Sequence, residues 1–330
     1  MDYKQTCDHG CLPISVAICT HNGAAFLKEQ LESIVAQSCL PDEIVASDDA
    51  SDDGTQAILQ TFSSRYPGLF RIYRNPVCLG VAAHFMTTIR RCRNELVMLA
   101  DQDDIWFKDR IAQFARQYHN NPKAMIYLSN GLLLQNGKVR GTLWRMHHFN
   151  SIEQKKVRCG QALTVMQKHV FVTGSAMMVK RSLLDQMPIP RRFFYHDEWL
   201  GWIAGNRIDL VHKPTYYYRL HDSQTVGQKR SILKRWLRYL SRDVPGKITL
   251  DDALLKYSDL RSALASGDEY AGQIQALNDK IRFIQCRRQL PQNRIARLSQ
   301  MIGKIGMKEY TMNSRGVSCF LLDLIHVRYL

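Results

Sequence analysis

The chain has 330 residues, of which 45% are apolar and 23% charged; that suffices for one large domain or a domain with an appendage, and it excludes a disordered chain or a bundle of membrane spans. The net charge of +15 is uneven, with 19 Lys and Arg against 9 Asp and Glu in residues 228–330 and 26 against 21 before them, so the C-terminal part is expected to meet an anionic surface, lipid or nucleic acid. Nine cysteines without an apolar signal segment imply reduced thiols in a cytoplasmic protein, and no apolar run approaches the ~20 residues of a spanning helix.

Residues Cys7 to Cys11 have zinc-ligand types but no second ligand pair beside them, which favours a plain tail. Ile14 to Cys19 then reads as a buried strand, Thr20 to Gly23 as a polar turn, and Ala24 to Ala36 as a helix through Phe26, Leu27, Leu31, Ile34 and Val35. A strand over Glu43 to Ser47 leads into the acidic segment Asp48 to Asp53 and a helix from Thr55 to about Arg65. The pattern repeats with a strand over Leu69 to Arg74 and a helix over Gly80 to Arg93. A strand over Glu95 to Ala100 follows, ending on Asp101 to Asp104. A helix from about Phe107 to His119 and a strand over Ala124 to Leu128 complete the series. Such alternation predicts right-handed βαβ units and a mostly parallel, twisted sheet flanked by helices. Ligands bind such sheets outside the C-terminal strand ends, where three of these polar segments fall.

Periodicity weakens from Leu132 to Lys168. Beyond it, Gly174 to Val179 reads as a strand, Asp197 to Ala204 as a short helix and Thr215 to Leu220 as an aromatic strand. The composition becomes helical and basic after Gly227. This predicts a catalytic domain over 12–227, with halves of about 12–130 and 131–227, and a helical extension over 228–330.

The acidic segments carry the chemistry. Asp101, Asp103 and Asp104 crowd three carboxylates at a strand end, which a divalent cation, Mg²⁺ or Mn²⁺, would relieve while bridging the phosphates of a nucleotide. A solvated, Asp-rich turn is the competing reading. Asp48 and Asp49 can accept hydrogen bonds from a base or ribose, whereas Asp53 before Gly54 suits helix capping.

The segments Val45 to Thr55 and Leu99 to Trp106, together with Thr20-His21-Asn22-Gly23, resemble the hallmarks of family 2 glycosyltransferases. The form Asp101-Gln102-Asp103-Asp104-Ile105-Trp106 is similar to the rhamnosyltransferase-like branch. The resemblance spans about residues 12 to 227. It implies the GT-A nucleotide-diphospho-sugar transferase fold and an inverting enzyme. It assigns the nucleoside to Thr20, Asn22 and Asp49, and metal and diphosphate to Asp101 and Asp103, with Asp104 open as an alternative metal ligand. Inversion needs a general base. Tyr195-His196-Asp197-Glu198-Trp199 resembles the family's base motif, with Asp197 as base, Glu198 in reserve and His196 in place of the first acid. Trp199 and Trp202 would desolvate Asp197 and raise its basicity, while capping of the following helix is the alternative role. Gly174 permits close backbone approach and Ser175 offers a hydroxyl in a segment like the one the family keeps near donor and acceptor. Asp104, Trp106, Glu198 and Trp199 join them, with His196, as donor- and acceptor-side residues. Arg219 suits a diphosphate, and His221 resembles the C-terminal histidine that reaches the metal in many GT-A enzymes.

The expected reaction moves a sugar, rhamnose by branch resemblance, from a nucleotide-sugar donor to a hydroxyl of a glycan or lipid-linked acceptor in bacterial surface polysaccharide (O-antigen or capsule) synthesis. Gln228 to Arg242 reads as a helix with Ile232, Leu233, Trp236, Leu237 and Leu240 on one side and six basic residues around the rest. It fits anionic lipid at the inner face of the cell membrane, or packing on the catalytic domain or on a second subunit. Two other enzyme classes lack their marks: a dehydrogenase needs Gly-x-Gly-x-x-Gly after the first strand, and a sugar nucleotidyltransferase a Gly-rich basic loop there. A nucleic-acid-binding protein would carry a reader module, and none is evident, so no nucleic acid partner is expected.

Overall fold

The computed structural model describes residues 12–185, 194–221, 248–265, 267–314 and 316–325. The Cys7 to Cys11 segment, the Gly227 boundary and the Gln228 to Arg242 helix lie outside the described residues. The chain divides into two compact units. Among described residues, the first holds 12–162, 171–185 and 195–220, and the second holds 163–170, Phe194 and 221 onward.

The first unit is built on a nine-stranded sheet. Four parallel strands form one side: β1 (Ile14–Thr20), β2 (Glu43–Asp48), β3 (Phe70–Arg74) and β4 (Leu96–Asp101), in the order β3-β2-β1-β4. β1 and β2 are buried along their whole length, because helices cover both faces of a parallel sheet. Those helices are α1 (Ala24–Val35), α2 (Thr55–Arg65) and α3 (Val81–Arg91). α1 buries Leu27, Leu31 and Ile34, one helical face, against the core shared with Val16, Ile18, Ile44 and Met98.

The other side of the sheet is mixed. It comprises β5 (Ile105–Trp106), β6 (Ile126–Gln135), β7 (Lys138–Thr142), β8 (Met177–Lys180) and β9 (Ile208–Arg219). β8 runs antiparallel between β4 and β6, β9 is parallel to β6, and β5 pairs antiparallel with β9. The expectation of a mostly parallel sheet therefore holds for the first half and is corrected in the second. α4 (Arg110–Asn120) packs on β9, and the short helices α5 (Leu143–Met146), α6 (Ser151–Arg158) and α7 (Ala162–Met166) occupy the stretch where periodicity fails. A capping box, with Asn150 and Glu153 exchanging hydrogen bonds, starts α6. α8 (His196–Ala204) buries Trp199, Leu200, Trp202 and Ile203 on nearly all sides.

The described part of the second unit is largely helical: α9 (Leu250–Leu264) and α10 (Ala271–Arg288) pack together, followed by α11 (Arg294–Gln300), α12 (Gly306–Asn313) and α13 (Val317–Ile325). Arg287 grips Asp323 with two bonds of 2.6 Å, and Tyr310 donates to the same carboxylate at 2.8 Å. Among the described residues no helix is long and apolar enough to cross a membrane. Cys19, Cys78, Cys92, Cys159, Cys286 and Cys319 are free thiols, but Cys39 is disulfide-bonded, which corrects the expectation of reduced thiols there.

Candidate functional site

Sheet register assembles the site. Thr20 at the end of β1 lies opposite Asp48, and Cys19 opposite Asp101, so the loops after β1, β2 and β4 share one rim. β8 opposes β4, so the turn that precedes it reaches that rim as well.

The first two loops hold each other in place. Thr20 donates its hydroxyl to Asp48 at 3.0 Å, and the Asn22 amide donates to Ser51 at 2.9 Å. The Asn22 side chain accepts the Asp52 amide at 3.0 Å, and the Gly23 amide donates to Thr55. Asp53 accepts the Thr55 amide that starts α2 and also the Ala24 amide that starts α1, so its expected capping role is doubled. Ala50 (φ 59°) and Asn22 (φ 48°) are left-handed, a conformation that costs about 1–3 kcal/mol and persists only where surroundings enforce it.

Both expected nucleoside carboxylates are already engaged. Asp48 is fully buried and also accepts from the Ser51 amide and hydroxyl. Asp49 accepts from Asn75, Cys78 and the amides of Leu79 and Gly80 at 2.8–3.2 Å. Burial would raise the Asp49 carboxyl, but the Leu79 amide, Asn75 and Cys78 more than offset it and hold it below the ordinary carboxylate range. Asp48 and Asp49 thus build the loop and fix the segment that leads into α3.

The third loop is acidic. Carboxylate oxygens of Asp101, Asp103 and Asp104 all lie within 4.8 Å of one another. Asp101 is pushed up to about 8, first by burial and then by the charges of Asp103 and Asp197, with Arg110 acting in the opposite direction. Asp104 is fully buried and held well above its ordinary value by burial and then by Asp103 and Asp101. Its Oδ1 accepts the Arg219 amide at 3.2 Å, and its Oδ2 is a buried oxygen without a hydrogen-bond partner among the described residues. Carboxylates crowded in this way fit a hard divalent cation, which Asp101 and Asp103 at the more accessible side could ligate. Gln102 lies between them and was not singled out from sequence. It accepts the His21 amide at 2.8 Å and donates back to the His21 carbonyl at 3.0 Å, locking the first loop to the third. A Cβ on Gly23 would lie 2.1 Å from Gln102 Oε1, so a side chain there would displace the Gln102 amide from this place.

Asp197 joins the rim as the second residue of α8. Tyr195, not Asp197, is the helix N-cap; Asp197 instead accepts the Gly174 amide at 3.1 Å and the Glu198 amide at 2.7 Å. Burial raises its pKa, opposed by those two amides and by His147. Its charge acts on Asp101, so base candidate and acidic loop belong to one electrostatic site.

Several other expected residues turn inward. Gly174 and Ser175 form a 3-10 turn (Gly174–Ala176) instead of the expected strand, and the Ser175 hydroxyl is buried against Tyr216 OH at 3.0 Å. Trp106, Glu198 and Trp199 are buried as well. The Trp106 ring lies under the Arg110 guanidinium. Arg219 donates to the Asp103 carbonyl, pairs with Glu29 and covers Phe26, so it braces the acidic loop. His221 belongs to the second unit. His196 is buried and stacked on Phe85 at 4.1 Å, with burial lowering its pKa to about 3, so it is neutral. A Cβ on Gly174 would meet His196 Nε2 at 2.3 Å. Because that ring is wedged against Phe85, Gly174→Ala is expected to destabilise the protein by about 1–3 kcal/mol and to slow turnover by displacing Asp197; denaturant unfolding and initial rates check both.

This sheet with its acidic rim defines the class: a glycosyltransferase of GT-A architecture. TarS 1–349 of S. aureus in complex with UDP-GlcNAc has the same fold at 16% identity and TM-score 0.56, over 88% of this chain and 80% of that one. Mannosyltransferase PcManGT from Pyrobaculum calidifontis, in complex with GDP-Man and Mn²⁺, does so at 16% and 0.52, over 94% and 78%. The chain belongs to glycosyl transferase family 2, whose model matches residues 15–187, more than half of its length. It is 34% identical over 272 residues to abequosyltransferase RfbV of Salmonella typhimurium, covering 74% of this chain and 80% of that protein. It is 27% identical over 228 residues to dTDP-rhamnosyl transferase RfbG of Shigella flexneri, covering 66% and 76%.

Proposed function

We propose that this glycosyltransferase moves a deoxyhexose, rhamnose first among candidates, from a nucleotide-diphosphate sugar to a hydroxyl of a glycan or lipid-linked acceptor, with inversion, during assembly of a bacterial surface polysaccharide such as O-antigen or capsule. The supporting observation is the convergence of Asp101, Asp103 and Asp104 with Asp197 on one rim of the sheet. The similarity to a rhamnosyl and an abequosyl transferase supports the sugar class.

In this reading Asp101 and Asp103 would hold Mg²⁺ or Mn²⁺, and the bound cation would supply positive charge to the departing diphosphate. The first two loops, locked through Asn22, Ser51 and Gln102, frame the nucleoside. Asp197, kept basic by burial and aimed by the Gly174 and Glu198 amides, takes the acceptor proton. Anionic lipid is the second partner of the reading. Its support is the segment Gln228 to Arg242, whose sequence sets apolar residues on one side and six basic residues around the rest.

The test incubates the full chain with dTDP-, UDP-, GDP- and CDP-sugars and a lipid-linked acceptor, following nucleoside diphosphate release and product configuration. The expected result is chelator-sensitive release from one donor, an inverted product, and co-sedimentation with anionic vesicles. Release from none of them, with thermal stabilisation by oligonucleotides alone, would overturn the proposal.

A further inference from the structure

Arg110 opens α4 just beyond the acidic loop, yet its side chain is completely buried. Burial drives its pKa down to about 10, a measure of how unfavourable the environment is for its charge. Its hydrogen bonds go to neutral groups: Nη1 donates to the Thr215 hydroxyl at 2.7 Å, and Nη2 to the Ser175 carbonyl at 2.5 Å. Nε has no hydrogen-bond partner among the described residues. The rings of Trp106, Tyr216 and Phe114 enclose the guanidinium at 4.6, 4.5 and 5.2 Å, a cation–π setting that offsets part of the desolvation. An apolar side chain would fill such a slot without burying a charge. The fork of donors must therefore serve something a hydrocarbon cannot.

The contacts lead to the turn Gly174–Ala176. Arg110 holds the Ser175 carbonyl, Tyr216 holds the Ser175 hydroxyl, and Ser129 bonds Thr215 from the neighbouring strand at 2.7 Å. The amide at the head of the same turn, Gly174 N–H, holds Asp197 Oδ2. We propose that Arg110 is a positioning residue for Asp197: it pins the Gly174–Ala176 turn through the Ser175 carbonyl, and the turn in turn aims the carboxylate. Arg110 thereby joins the helix that follows the acidic loop to the side chain that receives the acceptor proton. The inference rests on the reading of Asp197 as the base.

Arg110→Met keeps an unbranched apolar stem against the three rings and removes both hydrogen bonds. Arg110→Lys keeps a charge and one set of directed donors. Since a displacement of about 1 Å at a catalytic group can lower the rate about 100-fold, kcat of Arg110→Met is expected to fall by about that factor. Lys should recover part of kcat with a donor KM within about twofold of the native chain, because it keeps the positive charge that acts on Asp101 and Asp197 acts in the chemical step and not in donor binding. Kinetics on the full chain with Mn²⁺, with Asp197→Asn in parallel, separate the outcomes. Should Arg110→Met fail to fold, a loss confined to kcat in Arg110→Lys carries the inference. An unchanged kcat in the folded Arg110 variants beside an inactive Asp197→Asn overturns the role of Arg110 alone. Equal losses in kcat and donor affinity with no recovery by Lys mark a merely structural residue and overturn it too. Full activity of Asp197→Asn instead removes the base reading beneath it.

Discussion

Asp197→Asn is expected to bind the nucleotide donor within about twofold of the native chain while kcat falls about 10²–10⁴-fold, the span of a lost general base. The side chain meets the Gly174 and Glu198 amides through its two carboxylate oxygens. Asparagine keeps one acceptor and turns an amino group toward the other amide, so it cannot satisfy both. The strain is local, because the nucleoside-side loops are bonded to one another through Asn22, Ser51 and Gln102. Titration calorimetry with the nucleoside diphosphate measures the first half of the expectation, and single-turnover rates the second. The pH profile adds an independent check. Burial raises the Asp197 carboxyl, so the fraction ready to accept a proton falls as pH drops through a value above the ordinary ~3.9 of aspartate. Activity should therefore decline on the acid side, and the part of that limb that belongs to Asp197 should be missing from whatever rate Asp197→Asn retains, leaving the part that Asp101 contributes. Native kcat in the variant would transfer the base role elsewhere, with Glu198 next in line.

The half of the fold up to β4 was legible because each strand is a short apolar run and each helix keeps its apolar face, as Leu27, Leu31 and Ile34 do in α1. Parallel connectivity then put the three polar loops on one rim without further information. The later half was legible only in part: α4, α8, the start of β6 and the end of β9 follow their expected segments, and the rest was missed for physical reasons that differ by element. β5 has two residues and exists only through its pairing with Tyr216 and Tyr217. The stretch around Gly174 has strand-like composition but tightens into a turn, because Arg110 and Tyr216 hold Ser175 from opposite sides. Residue types at the site were readable, but the direction of the side chains was not. Asp49 and Arg219 have the chemistry of ligand-binding groups and are bonded to the protein itself. Gln102 and Arg110, which a count of carboxylates passes over, connect the loops.

Asp103→Ala is expected to abolish metal-dependent donor binding, with Mn²⁺ affinity reduced by more than the 10–100-fold typical of outer-sphere partners. Geometry distinguishes it from its neighbour. Asp103 is partly exposed at the rim, whereas Asp104 is fully buried and gives one oxygen to the Arg219 amide. In the proposed reading a cation entering from solvent would meet Asp101 and Asp103 first, with Asp104 supporting the loop from beneath. Asp104→Asn keeps an acceptor for Arg219 and removes a buried carboxyl already held well above its ordinary value. It should therefore leave Mn²⁺ affinity within about tenfold. Thermal shifts with nucleoside diphosphate, with and without Mn²⁺, measure both variants: the cation-dependent increment should disappear in Asp103→Ala and survive in Asp104→Asn. The reverse pattern would make the buried carboxylate the ligand and would require the Arg219 amide to leave it. An increment present in both would move the cation off this loop altogether, and with it the reason for three aspartates to crowd the end of β4.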